Sequence, residues 1–297
     1  MDVVLLLVNV VTIVFITSTM FGAGLGSTIS ALTAVATDVP LLLLALLVNI
    51  VLVPLVAWAL GVLFHLNAAA FIALVLVAAS PGGPFGAKLA MMQHGDTTTG
   101  AAMQVLLAAV GSVTFAPVAN TVIRAAGIAE GFTLDVGALI RTVALLQLVP
   151  FAIGLLIRHT RSELAGRWQP RTAALSNGTF LAVLAGMLAG NWQQIAALLG
   201  SRTLLAGIVL TAAAGVAGTL LATGAMPRRT TMGGVAATRN VGPALTAAGL
   251  AFHNDPAILG ALAGILAIGM VVSVPTAAVL GRGRRPPDAA EQPATEP

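Results

Sequence analysis

One helix in this chain cannot run its natural course, and that failure constrains the fold more than anything else. Residues 67–80 are fourteen mostly apolar residues, which as helix cover only ~21 Å at ~1.5 Å per residue. A bilayer core is ~30 Å thick. The segment must therefore continue at membrane depth through Pro81-Gly82-Gly83-Pro84, where no regular helix survives two prolines and two glycines. Non-helical backbone is tolerated at that depth only where it is buried in protein or lines a cavity. Just past the break stands Lys88, the only lysine in the sequence. This stretch is expected to form half of a transport site.

The membrane setting follows from composition. Of 297 residues, 58% are hydrophobic and 8% charged, against about 25% charged in soluble domains. The fold class is all-α integral membrane. The absence of cysteine excludes disulfides and thiolate metal sites. The net charge of +4 reads as topology, not as a nucleic-acid partner. Met1-Asp2-Val3-Val4 lacks a basic leader and runs on apolar, so a first span is expected there, not a cleaved signal.

Apolar runs predict nine spans, at 3–25, 40–63, 67–93 (broken), 98–123, 136–157, 172–190, 203–226, 230–252 and 257–281. A disordered tail is expected over 282–297. The arginines orient the chain. With the C-terminus inside, the inner segments hold Arg158, Arg161, Arg167, Arg171, Arg228, Arg229, Arg282, Arg284 and Arg285, against Arg124 and Arg202 outside. This bias predicts a multi-pass protein of the cell inner (plasma) membrane, N-terminus outside and C-terminus cytoplasmic.

Lys88, Arg141 and Arg239 fall within spans, whereas all ten acids lie in loops, span edges or the tail. The membrane interior thus holds cations with no carboxylate to neutralise them. A second interruption accompanies Arg239: Gly233-Gly234 loosens the start of span eight, and Asn240-Val241-Gly242-Pro243 breaks its middle. Two Gly/Pro-interrupted segments at corresponding positions point to an inverted-repeat transporter with its site where the breaks cross. The bland alternative is that Gly and Pro are common in membrane helices. Two such clusters, each beside a buried cation, favour the transporter.

At these stretches the chain resembles the bile acid:sodium symporter family. The resemblance rests on Met20-Phe21-Gly22-Ala23-Gly24-Leu25, Pro54 with Ala57-Trp58, Ser80-Pro81-Gly82-Gly83, His94-Gly95-Asp96, Asn240-Val241-Gly242 and Ala248–Phe252, and runs over residues 10–280. It implies two unwound, crossing helices in a core domain (40–124 and 203–281) and a panel domain (1–39 and 125–202) that rocks against it. Together these make a single transmembrane domain over 1–281. On this resemblance the family's usual first helix is expected to be absent, leaving nine spans. The departures from the family are informative. Its serine and asparagine sodium ligands read Gly86 and Ala87 here, its glutamate and glutamine read Val235 and Arg239, and Asn49 stands where it has a glutamine. Sodium wants several hard oxygen donors, so sodium coupling is not expected.

A charge at mid-membrane costs from ~2.5 to ~10 kcal/mol or more. Lys88 and Arg239 are expected to occupy the volume that sodium fills in relatives, to steady the crossing, and to attract a small organic anion. The bland counterpart is that both merely bond loose carbonyls of the broken helices, and the two roles are compatible. A lysine that exchanges its proton would admit protons as a coupling ion. The expected site comprises Asn49, Pro81, Gly82, Gly83, Gly86, Ala87, Lys88, Gln104, Val235, Thr238, Arg239, Asn240 and Gly242, with no metal and no cofactor. Gln147, Asn177, Asn191 and Gln193 are further cavity candidates, as are Thr17, Ser18 and Thr19 from the panel side. Interhelical hydrogen bonds or back-bonding serve equally for each. Arg141 is expected to snorkel to the outer interface. His65, His94, His159 and His253 do not cluster. Enzymatic chemistry would need a nucleophile and base, or paired acids, at one depth, and the spans supply none. The competing readings are a sodium-coupled, bile-acid-like symporter and an anion channel; a receptor or scaffold ranks below both.

Overall fold

Aspartates set where several helices begin. Asp38, Asp96, Asp135 and Asp255 each accept a hydrogen bond from the backbone N–H of the first turn that follows, at 2.8–3.3 Å. The computed structural model describes residues 3–127, 135–190 and 192–283. The acids that the sequence places at span edges are thus helix caps, whose negative charge also suits the positive end of the helix dipole.

Among the described residues every regular element is helical. The chain runs through α1 (Val3–Gly26), α2 (Ile29–Thr37), α3 (Val39–Leu46), a π-helical turn over Leu47–Leu52, α4 (Val53–Leu63), α5 (Ala68–Ala78) and α6 (Gly86–Met92). It continues through α7 (Thr97–Ala125), α8 (Val136–Thr160), α9 (Ser162–Gly190), α10 (Trp192–Leu198) and α11 (Arg202–Leu221). Last come α12 (Met226–Ala237), α13 (Val241–Leu250) and α14 (Pro256–Arg282). Among the described residues five helices, with Val39–Leu63 taken as one, are long and apolar enough to cross a membrane, six if α1 and α2, bent by 89° at Ser27-Thr28, count as one.

Several expected boundaries move. Residues 29–37, expected as loop, form α2, capped by Thr28 through the N–H of Ala31 at 3.2 Å. The sixth segment begins at Ser162, not 172. Arg167 and Arg171 interrupt apolarity there without interrupting helicity, since arginine is a good helix former. Span seven ends at Leu221 and the next helix starts at Met226. The tail expected to be disordered lies, from residue 284, outside the described residues, and so does Asn191.

Small residues set the packing. Gly24 of α1 and Gly154 of α8 lie against each other's helix, where a Cβ on either would strike backbone. Gly218 of α11 and Gly233 of α12 do the same. Helix α1 packs along both α8 and α9. The remaining long helices gather around α5, whose residues from Ala70 to Ala78 are all buried. That burial suits a helix too short to span alone. Among the described residues, segment ends far apart in the chain meet in two polar contacts: Arg228 pairs with Asp38 at 2.6 Å, and Arg202 Nη1 donates to Phe64 O at 3.4 Å.

Candidate functional site: the crossing of two interrupted helices

Between α5 and α6 the backbone is irregular from Ser80 to Phe85; between α12 and α13 it is irregular from Thr238 to Asn240. The two breaks touch. Asn240 N donates to Ser80 O at 2.9 Å. A Cβ on Gly83 would strike the backbone N, C and O of Arg239, so only glycine lets the strands pass this closely. Gly82 sits at φ +77° with its Cα against the backbone of Gln104 and Ala108 on α7. Pro81 packs against Gly111 of the same helix.

Side chains close the loose ends. Thr238 Oγ1 donates to Gly234 O and Val235 O, both at 3.2 Å. Asn240 Oδ1 accepts from Gly242 N at 3.2 Å, capping α13, while its Nδ2 donates to Gln147 Oε1 on α8 at 2.9 Å. Gln104 Oε1 accepts from Ala87 N at 2.9 Å in the first turn of α6. Arg239 does the most. Its Nη1 donates to Ala78 O at 3.4 Å and its Nη2 donates to Ala236 O. Those carbonyls belong to the last turns of α5 and α12. Each helix C-terminus carries about −0.5 of an elementary charge. Two of them together offset one guanidinium, which explains how a half-buried arginine persists here with no carboxylate.

Lys88 has different surroundings. It is exposed, its Nζ donates to Asn177 Oδ1 of α9 at 2.7 Å, and it stands 4.8 Å from the Phe85 ring centroid. It lines a cavity of about 120 Å³ between α1, α6 and α9, with Ser18, Thr19, Gln104, Ser176 and Asn177. One water needs roughly 10–15 Å³, so this cavity has room for a small solute. Arg239 lines a separate cavity with Thr211, Thr238 and Ser273. Pro84, Phe85 and Phe180 border both and form the wall between them, with the two phenylalanine rings 5.1 Å apart. The two cations expected at one site thus line different cavities. The α6 turn carries Lys88 to the α9 side of the wall, and the carbonyls hold Arg239 on the other.

The remaining expected site residues are dispersed. Gly86 is closed in by Val235 Cα and Cγ2 and Thr238 Oγ1, each 3.2 Å from where its Cβ would be. Asn49 lies in the π turn. Its Nδ2 donates to Ala45 O at 2.9 Å, while its buried Oδ1 has no partner among the described residues. It shares with Val235 a cavity of only about 10 Å³. Thr17 bonds back to Ile13 O at 2.8 Å. Thr19 bonds to Phe15 O at 2.7 Å and to Ser176 Oγ at 2.5 Å. Ser176 was not anticipated, because nothing in its local sequence marks it; only the packing of α9 on α1 brings it to Lys88. Arg141 and Gln193 are exposed. His65, His94 and His253 have positive φ in turns after helices. No group of metal-binding side chains occurs among the described residues.

Helices without strands, several of them long and apolar, assembled around two interrupted segments, define a multi-pass membrane protein. The chain belongs to the sodium bile acid symporter family, whose sequence profile matches residues 13–198. That match contains the first interrupted helix and ends before the second. The family comprises secondary transporters of bile-acid-like organic anions, not enzymes. No curated protein matches the chain.

Proposed function

We propose that this chain carries a small organic anion across the plasma membrane by alternating access, without sodium, using Lys88 as the substrate's counter-charge and Arg239 as a tethered cation at the crossing. The carrying observation is the guanidinium of Arg239 bonded to the C-terminal carbonyls of both broken helices. A coupling cation at the crossing would need those oxygens, or others from neighbouring side chains. Gly86, Ala87 and Val235 bring none, and the space beside Gly86 is filled by Val235 and Thr238. Lys88 is in the first turn of α6, where the helix dipole does not offset a cation. Its charge faces a cavity furnished with hydroxyls and amides, which suits a carboxylate or sulfonate.

On this reading α1, α8 and α9 form the panel and the other long helices the core, arranged as inverted repeats. The contacts between segment ends agree with the even number of crossings that a nine-span alternation puts between Asp38 and Arg228 and between Phe64 and Arg202. Alternation puts Asp38 and Arg228 on one face and Phe64 and Arg202 on the other, and each pair is in contact.

Uptake of a panel of labelled organic anions into proteoliposomes is the test. Uptake should saturate and be accelerated by the same anion on the far side, and replacing sodium by choline should leave it unchanged. Flux that does not saturate would instead indicate a channel, and sodium dependence would restore the sodium symporter. Stimulation by an imposed pH gradient would identify protons as the coupling ion, with Lys88 the group to exchange them.

A further inference from the structure

The Lys88 cavity is bordered by Gly22 and Ala23 near the C-terminal end of α1, and by Ala173, Ser176 and Asn177 in the half of α9 that follows Arg167 and Arg171. It therefore lies on the arginine-rich side of the crossing. Toward the opposite side the same helix group closes on the core, α8 packing on α7 and meeting α13 through Gln147. Leu139, Val143 and Gln147, spaced four apart on one face of α8, are each 1% exposed. Gln147 Oε1 accepts from Asn240 Nδ2 at 2.9 Å, and Asn240 is itself 7% exposed. A Cβ on Gly242 would be 3.1 Å from Ile16 Cγ1 of α1 and 3.5 Å from Gln147 Nε2. The Gln147 Nε2 donor is buried and has no partner among the described residues.

We infer that Gln147 is a gating residue: its bond to Asn240 latches α8 onto the second crossing helix and holds shut the side of the site away from the arginines. This rests on the transporter reading above. The latch is made through the amide oxygen alone. The buried N–H groups left unbonded count against the closed state, and water would satisfy them once the seal opens. The bond is thus strong enough to bias the equilibrium without locking it. The outer seal is also asymmetric with the inner one, where Lys88 reaches Asn177 beside a cavity that carries hydroxyls and amides.

The native chain has no cysteine, so single introduced cysteines report access from either side. Val143→Cys tests the outer seal, and Ala173→Cys tests the inner cavity. Each is labelled with a membrane-impermeant maleimide, in sealed vesicles of known sidedness, with and without Gln147→Ala. One ordinary hydrogen bond corresponds to a population change of about 2- to 12-fold. With Gln147→Ala, labelling of the Val143→Cys variant from the side opposite the arginine-rich loops should rise by that factor. Labelling of the Ala173→Cys variant from the arginine-rich side should fall. Gln147→Met, which keeps the length but loses the acceptor, should act alike. Labelling that rises in both variants would mean only a loosened fold, and labelling unchanged in both would mean no latch; either overturns the inference. No substrate is needed, so a negative uptake experiment and a negative labelling experiment fail separately.

Discussion

Arg239 and Lys88 carry one charge each, yet their settings predict opposite consequences of losing it. Arg239 donates to two helix ends whose dipoles would otherwise point their negative poles at each other. Arg239→Gln should therefore act on stability: each charged hydrogen bond lost costs about 1.5–3 kcal/mol, read as a clear drop in the thermal midpoint of the purified protein. Free guanidinium should recover part of that loss in Arg239→Ala, because the carbonyls remain in place. Lys88→Gln should leave the midpoint close to that of the parent, since the side chain is exposed and its one amide partner can be hydrated. Anion affinity should instead fall about tenfold or more, measured as the substrate concentration for half-maximal uptake. If the two variants exchanged these behaviours, the division of labour between the cations would be wrong.

The interrupted helices depend on glycine where backbone meets backbone, and ordinary packing elsewhere. Gly83→Ala places a methyl group on the peptide of Arg239, which no rotamer change relieves, so this variant should fail to yield folded protein. Gly86→Ala meets one methyl, one hydroxyl and one Cα at 3.2 Å, contacts that can give by a few tenths of an ångström. It should express, with stability within about 1–3 kcal/mol of the parent, judged by thermal denaturation. Both interruptions were legible in the sequence because Pro and Gly act locally, through a missing donor and a missing Cβ. The capping role of the four aspartates was equally local. Three things were not legible. The π turn at Asn49 leaves no compositional trace. The separation of Lys88 from Arg239 depends on which way a single turn of α6 faces. The Asn240–Gln147 bond joins residues 93 apart in the chain, and only the docking of α8 on α13 brings them together.

Across the whole molecule, charge placement and crossing parity make one joint prediction. Nine crossings would require the two termini to lie on opposite faces, and the arginine distribution predicts the C-terminus with the loop between α8 and α9 on the cytoplasmic face. The ion pair Arg228–Asp38 and the contact of Arg202 with Phe64 bind segment ends that this parity assigns to common faces. If the first interrupted helix did not cross, both contacts would be torn across the bilayer; the second interrupted helix lies outside both intervals and is not constrained by them. Short epitope tags at either end, probed with antibody in intact and permeabilised cells, should show the N-terminal tag reactive without permeabilisation and the C-terminal tag only after it. Tags reactive on the same face would mean that one of the nine segments does not cross, and the second interrupted helix, which neither contact constrains, is then the one to examine. Were it that helix, its break would be a re-entrant hairpin instead of a crossing, and Arg239 would be capping a loop instead of joining two halves of a membrane span.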